Sequence, residues 1–94
     1  MHSSTQNLLD KLVEVKHIIP GDIYYHYRNP EKLYEIICVA LNEEDEDTVV
    51  VYRSQEIDGL TWARRLSVWS EDVEHNGRMV PRFSKYVKTE HSNR

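Results

Sequence analysis

Two nearly continuous apolar runs place the strongest constraint on how this chain can fold. They are residues 33–41 and 48–53, and the segment between them, 42–47, is Asn-Glu-Glu-Asp-Glu-Asp. A run of like charge is costly to bury, so this segment is expected to be a solvated loop joining two strands. Strands that are apolar at nearly every position are typical of sheets covered on both faces. The pattern therefore predicts a central β-hairpin with another element covering one side of its sheet.

An amphipathic helix near the N-terminus is the predicted cover. Ser4 or Thr5 can accept a hydrogen bond from a free backbone amide of the first turn, and apolar side chains then recur at the spacing of one helical face. These side chains are Leu8, Leu9, Leu12 and Val13. We expect a helix over residues 5–15, and Pro20 with Gly21 then ends the helical region.

Two further short strands are expected on either side of the central hairpin. Residues 24–28 are rich in tyrosine, which favours strands, and Asn29 with Pro30 would form the turn that follows. The other strand, residues 60–64, follows a turn at Asp58-Gly59.

The pair Asn76-Gly77 gives the strongest turn signal in the chain. Both central residues of a type I′ turn need positive φ, so this pair predicts a tight hairpin between strands 72–75 and 78–80. Short strands without an alternating rhythm of helix and strand indicate an antiparallel α+β fold, mainly β. We expect a small, partly open barrel or curled sheet with one N-terminal helix, and a flat sheet backed by the helix is the alternative.

The 94 residues allow one domain, 1–94, with a β-rich body over 20–87 and a frayed tail over 88–94. The single Cys38 excludes an internal disulfide, and we expect a cytoplasmic protein because no apolar signal segment or membrane-length run is present. The net charge of −4 argues against bulk binding of nucleic acid. Residues 1–60 carry −7 and residues 61–94 carry +3, so an anion-binding face is expected in the second half.

Metal and nucleophile chemistry have little support in the sequence. The histidines are scattered without the paired spacing of a zinc site, and the acidic segment lacks the alternating ligands and the turn glycine of a calcium loop. Cys38 lies inside an apolar run and is expected to be a buried, unreactive thiol. We therefore assign no catalytic residue, no metal ligand and no cofactor.

The first strand carries the clearest candidate binding residues. Alternation places Tyr24, His26 and Arg28 on one face and Tyr25 and Tyr27 on the other. Since the second set is wholly aromatic, we expect it in the core and the first set on an outer face that could stack on and hydrogen-bond a ligand. The alternative is a structural His26 that holds neighbouring backbone.

Aromatic and basic side chains in later strands extend this candidate surface. Trp62 and Arg64 alternate onto one face, and Arg82 lies in a stiff context between Pro81 and Phe83. Internal pairing of the arginines with acids is the alternative, and Trp69 is expected to be either a core plug or a partner contact. The predicted ligand-binding set is Tyr24, His26, Arg28, Tyr52, Arg53, Trp62, Arg64 and Arg82.

The chain resembles a known family over about residues 20–87. The landmarks are Pro20-Gly21, Tyr24, His26-Tyr27-Arg28, Val50-Val51-Tyr52-Arg53, Trp62, Arg64, Val73, Gly77 and Val80-Pro81-Arg82-Phe83. In this order they resemble the domain of unknown function 1653 family of small bacterial proteins. The chain departs from the family pattern at Tyr25, Arg65, Val68 and Trp69, and in the turn at 29–32. The resemblance implies a small β-rich domain and implies no activity.

Two functions from different classes follow from these residues. The first is a noncatalytic binding module for a small anionic ligand, a nucleotide or a protein segment. The second is a small hydrolase or transferase with His26 as general base and Glu71 or Asp72 as its acidic partner. If an anion binds, Arg64 and Arg82 are expected on the same surface as His26. For the core, we expect mostly buried side chains at Tyr25, Tyr27, Ile36, Cys38, Val49 and Val51.

Overall fold

The computed structural model describes residues 4–13 and 15–88. Its elements are α1 (Thr5–Val13), β1 (Ile23–His26), β2 (Asn29–Leu41), β3 (Thr48–Ser54), β4 (Thr61–Arg65), α2 (Leu66–Trp69), β5 (Asp72–His75), β6 (Arg78–Pro81) and β7 (Phe83–Lys85). Five strands form an antiparallel sheet in the order β4-β3-β2-β1-β7, and β5 with β6 forms a separate two-stranded hairpin. The predicted α+β class is confirmed, and the sheet is not closed into a barrel.

The predicted hairpins are present, with small differences at their ends. β2 and β3 pair around the acidic loop, and β5 and β6 pair around Asn76 and Gly77, whose φ values of 56° and 79° are those of a type I′ turn. The predicted turn at Asn29 and Pro30 is wrong, because β2 already begins at Asn29. Tyr27 and Arg28 form that turn instead.

One face of the sheet carries the core and is called the inner face. Residues directly opposite each other in antiparallel strands point to the same side, so the pairings Tyr24 with Tyr34, Ile36 with Tyr52, and His26 with Phe83 define it. The buried hydrophobic residues packed on this face are Val15, Ile18, Tyr24, Ile36, Val50, Tyr52, Trp69 and Phe83. The core is therefore one-sided and unusually aromatic.

The sequence assigned the wrong face to β1. Tyr24, expected on an outer face, is only 8% exposed and lies in the core, edge-on to Trp69 with ring centroids 5.2 Å apart. Tyr25 and Tyr27, expected in the core, are half-buried. Tyr24, Tyr25 and His26 each combine an aromatic ring with a polar atom, so alternation alone does not show which set is covered.

A bulge explains a second error of register. The ladder between β2 and β3 is irregular between Ile36 and Cys38, so that Ile36 pairs with Tyr52 but Cys38 pairs with Val51 on the opposite face. Ile36 is buried as predicted. Of the other residues expected in the core, none is exposed, and Tyr25, Tyr27, Cys38, Val49 and Val51 are all half-buried.

The N-terminal helix does not cover the sheet as expected. It ends at Val13 rather than at residue 15, and none of its described side chains is buried. It lies beside the β2–β3 loop, where Lys11 Nζ donates a hydrogen bond to the Glu46 carbonyl at 3.0 Å. The inner face is covered by the turn that contains Val15 and Ile18 and by α2, which carries Trp69.

The acidic loop is held by an arginine of the neighbouring strand. Arg65 of β4 lies 2.8 Å from Asp45 and 2.7 Å from Asp47, measured from its Nη1 to one carboxylate oxygen of each. The pKa of Asp45 is lowered, first by a backbone hydrogen bond from Asp47 and then by Arg65. The loop is therefore solvated, as expected, but two of its carboxylates are paired with Arg65.

No helix of the described residues is long and apolar enough to cross a membrane. The predicted tail, 88–94, lies outside the described residues except for Lys88.

Replacing Trp69 with alanine is expected to leave a cavity at the centre of the core. Trp69 is 4% exposed and stacks on Phe83 with centroids 3.9 Å apart. Removal of a buried tryptophan costs about 3–5 kcal/mol of the free energy of unfolding, measured by urea denaturation. The control Ile57→Ala changes a fully exposed side chain and should shift that free energy by no more than about 0.5 kcal/mol. Similar small losses in both variants would contradict the assignment of Trp69 to the core.

Candidate functional site

A cavity of about 230 Å³ opens on the inner face beside the core. Its lining residues come from five strands and are His26, Lys32, Tyr34, Tyr52, Trp62, Arg64 and Phe83. The lining is aromatic and basic, and it contains no carboxylate. The structure thus brings together four residues predicted from the sequence, which are His26, Tyr52, Trp62 and Arg64.

Rings that contact one another form the floor of the cavity. Phe83 packs against His26 at 5.1 Å and against Tyr52 at 5.5 Å between ring centroids, both close to edge-to-face. Tyr34 approaches Tyr52 edge-on at 5.3 Å. Edge-to-face pairs of this kind add about 0.5–1.5 kcal/mol each beyond the area that they bury. The floor is therefore a preformed surface with little freedom to rearrange.

Arg64 covers part of this floor. Its guanidinium carbon lies 5.3 Å from the centroid of the Phe83 ring, a cation–π distance. Burial raises the pKa of Tyr52, while the charge of Arg64 and its hydrogen bond to this tyrosine oppose the rise. Sequence alternation placed Arg64 near an indole, but its aromatic neighbour is Phe83.

The two cations of the cavity differ from other basic residues of the sheet. Among the described residues, neither Lys32 nor Arg64 has a carboxylate partner. Ion pairs are formed by Arg53 with Glu35, Arg65 with Asp45 and Asp47, Arg82 with Glu71, and Lys85 with Asp22. The cavity therefore holds two positive charges that no acid neutralises within the described part of the chain.

His26 is oriented by a backbone hydrogen bond, and its surroundings favour the neutral ring. Its Nδ1 accepts a hydrogen bond from the backbone N–H of Arg28 at 3.2 Å, so the neutral ring carries its proton on Nε2. Burial lowers the pKa of His26, and the nearby charges of Arg64, Arg82 and Arg28 lower it further. The residue satisfies neighbouring backbone, as the structural alternative expected, and it also lines the cavity.

Four residues of the predicted binding set do not line the cavity. Tyr24 lies in the core, and Arg53 lies on the opposite face of the sheet, where it pairs with Glu35. Arg28 lies in the exposed turn, where its Nε donates to the hydroxyl of Tyr27 at 3.1 Å.

Arg82, the fourth of these residues, lies close to His26 but is directed toward α2. Its Nε donates to the Val68 carbonyl at 3.1 Å, and its Nη2 donates to Glu71 Oε1 at 2.8 Å. These contacts connect the end of α2 to the chain that enters β7. Arg82 therefore makes the internal pairing with an acid that the sequence analysis gave as the alternative to ligand binding.

Sequence reasoning missed three lining residues, which are Lys32, Tyr34 and Phe83. Tyr34 belongs to the apolar run 33–41, and Lys32 immediately precedes that run. The local sequence therefore does not distinguish either residue from an ordinary strand residue. Phe83 is in a three-residue strand that was not predicted. Its position beside Pro81 and Arg82 was the available signal, because those residues also marked the family resemblance.

Metal and acid–base arrangements find no support in the described part of the molecule. Those residues contain no group of three histidine, cysteine or acidic side chains that could hold a metal ion. Glu71, a candidate partner for a catalytic His26, binds Arg82 instead. The arrangement is suited to binding an anion against aromatic rings.

Comparison with protein families matches residues 22–85 to the family described as protein of unknown function DUF1653. The chain belongs to this family. A crystal structure of a DUF1653 protein from Bordetella bronchiseptica is similar to it, with 34% sequence identity and a TM-score of 0.61. The similarity covers 73% of this chain and 86% of the other chain. No curated protein matches the chain. The family resemblance inferred from the sequence is confirmed, and membership in the DUF1653 family brings no described activity.

The pH dependence of stability should report His26 in this DUF1653 protein. Its pKa in the folded chain is lowered from the ordinary value of 6.5, so the unfolded chain binds the proton more readily. The stability that depends on neutral His26 is fully present above pH 6.5 and is lost as the pH falls through that value toward the lowered pKa. We expect His26→Gln to lose less stability than the wild type between about pH 8 and about pH 5, measured by urea denaturation. The exposed control His17→Gln should keep the wild-type slope, and an unchanged slope in His26→Gln would refute the assignment.

Replacing Arg82 with alanine is expected to loosen α2 from β7. The change removes hydrogen bonds to Val68 and Glu71 from a side chain that is 22% exposed. We expect a loss of about 1–2 kcal/mol in the free energy of unfolding, at the low end for charged hydrogen bonds because Glu71 is more exposed. Arg28→Ala, in the exposed turn, is the control and should change stability by less than about 0.5 kcal/mol. Equal losses in the two variants would speak against the anchoring role.

Proposed function

We propose that the protein is a noncatalytic binding module whose inner-face cavity takes a small anionic ligand. The observation that carries the proposal is the pair of cations, Lys32 and Arg64, which line an aromatic cavity without a carboxylate partner among the described residues. Elsewhere on the sheet, arginines such as Arg53 and Arg65 are paired with acids. An unneutralised, partly desolvated guanidinium is suited to a carboxylate or a phosphate.

Preorganisation supports the same function. Arg64 is half-buried and packs over Phe83, so less side-chain freedom is lost when an anion binds than for an exposed lysine. His26 offers its Nε2–H as a neutral donor, because Nδ1 already accepts the Arg28 amide. Burial, and after it the nearby arginines, lowers the pKa of His26, which favours the neutral ring.

The catalytic alternative lacks a comparable observation. A histidine general base is normally oriented by a third group, commonly a carboxylate on its second nitrogen. In His26 that nitrogen accepts a backbone amide, and none of the cavity-lining residues is an acid. We therefore propose binding without chemistry at this site.

Titration with inorganic phosphate tests the proposal. A charge-assisted hydrogen bond to a guanidinium contributes about 1.5–3 kcal/mol, so Arg64→Gln should weaken phosphate binding by about tenfold or more in isothermal titration calorimetry. Arg64→Lys keeps the positive charge but loses the two-pronged geometry of the guanidinium, so its phosphate affinity should fall between those of the wild type and Arg64→Gln. A smaller loss is expected for Lys32→Gln, since an ammonium is a flexible point charge.

Matched controls separate binding from folding. Arg53→Gln removes an arginine from the opposite face and should leave phosphate affinity unchanged, while Arg82→Gln should lower the melting temperature and leave the affinity of the folded protein unchanged. Circular dichroism of each variant checks that it is folded. Absence of phosphate binding, or equal affinity in the wild type and a folded Arg64→Gln, would overturn the proposal.

A further inference from the structure

Trp62 has no ring partner although it lines an aromatic cavity. Its side chain is 51% exposed, and no ring–ring contact joins it to any other described residue. Trp69, by contrast, stacks on Phe83 and also contacts Tyr24 and Tyr52. An open indole at the mouth of a preformed cavity offers a flat apolar surface that a second ring can cover.

The spacing of Trp62 and Arg64 relates this surface to the free cation. They are two residues apart on one strand and face the same side, opposite Tyr52 and Val50 of β3 respectively. Two residues of strand span about 7 Å. A ring stacked on Trp62 and an anion bound by Arg64 are therefore held by strand positions about 7 Å apart, a separation that one sugar can bridge.

The polar groups of the cavity fit the two ends of such a ligand. A phosphate monoester carries about −1.5 to −2 charge near pH 7, which suits the guanidinium of Arg64, and Lys32 adds a second positive charge to the same cavity. Among the described residues the Tyr34 hydroxyl makes no hydrogen bond, and His26 Nε2–H is a donor. Both can bind the donor and acceptor atoms along the edge of a heterocyclic base.

The size of the cavity and the charge around it limit the ligand to one unit. At about 230 Å³ it is smaller than the pockets of about 300 Å³ and above that enclose drug-sized ligands, so it can hold only part of one nucleotide, whose base lies over the exposed Trp62 at the mouth. Binding of a nucleic acid chain needs a continuous track of free cations. Here the net charge is −4, and the neighbouring Arg65 and Arg82 are paired with acids.

We propose that the ligand is a free nucleoside monophosphate, with its base stacked on Trp62 and its phosphate bound by Arg64. This inference rests on the proposed anion-binding function and adds the stacking of the ligand's base on Trp62. The base lies against the open face of the indole, while the floor formed by Phe83 and Tyr52 closes the cavity from below.

Calorimetric titrations with three probes test the ring separately from the phosphate. The probes are adenosine 5′-monophosphate, ribose 5-phosphate and adenosine. Base–aromatic stacking is expected to make the nucleotide bind about tenfold more tightly than ribose 5-phosphate. Trp62→Ala should remove the difference in affinity between the nucleotide and ribose 5-phosphate, because it weakens nucleotide binding about tenfold more than it weakens ribose 5-phosphate binding. Trp62→Phe should keep part of that difference.

The control is Leu60→Ala, because Leu60 is equally exposed at 51% but does not line the cavity. It should bind all three probes as the wild type does. Equal affinity for nucleotide and ribose 5-phosphate, or no effect of Trp62→Ala, would overturn the inference while leaving anion binding intact. If Arg64→Gln binds the nucleotide as tightly as the wild type does, the anion-binding function itself fails. Tighter, steeply salt-dependent binding of a single-stranded oligonucleotide would overturn the choice of a free nucleotide.

Discussion

Contact between Phe83 and Trp69 is the interaction on which the rest of this structure depends. The two rings are nearly parallel, at 9° between planes, and they join a four-residue helix to a three-residue edge strand. Neither element is long enough to be stable alone, since isolated short helices and single strands are marginal in water. Phe83 also contacts His26, Tyr34 and Tyr52, so the same ring that closes the core forms the floor of the cavity. Core packing and site geometry are therefore one arrangement.

Charge pairing around this core leaves the cavity as an exception. Arg65 pairs with two carboxylates of the acidic loop, and Arg53 pairs with Glu35 on the far face. Arg82 binds the Val68 carbonyl of α2 and the Glu71 carboxylate that follows this helix. These contacts use the acids that lie near each arginine. Arg64 faces aromatic rings instead, where a carboxylate partner would have to be desolvated. The proposed anionic ligand would supply the negative charge that Arg64 lacks as a partner within the described residues.

Local rules were enough to predict some elements and not others. The Asn76-Gly77 turn depends only on the φ values of two residues, and the central hairpin depends on two long apolar runs, so both were predicted correctly. The prediction of which β1 side chains face the core was wrong, because tyrosine and histidine are compatible with either face of a sheet. The bulge after Ile36 reversed the alternation that had grouped Cys38 with it.

The remaining parts of the site depend on distant contacts. α2 and β7 are too short to leave a periodic pattern, and the role of Phe83 appears only when β7 pairs with β1. Residues 27–82 separate β1 from β7, so their pairing closes a long loop, which is slow compared with forming the local hairpins. A chain in which only β1 to β4 have paired therefore lacks the Phe83 floor of the cavity, because Phe83 reaches it only through the pairing of β7 with β1. A ligand that needs this floor binds such a partly folded chain less tightly than the native one, so its binding stabilises the pairing of β7 with β1.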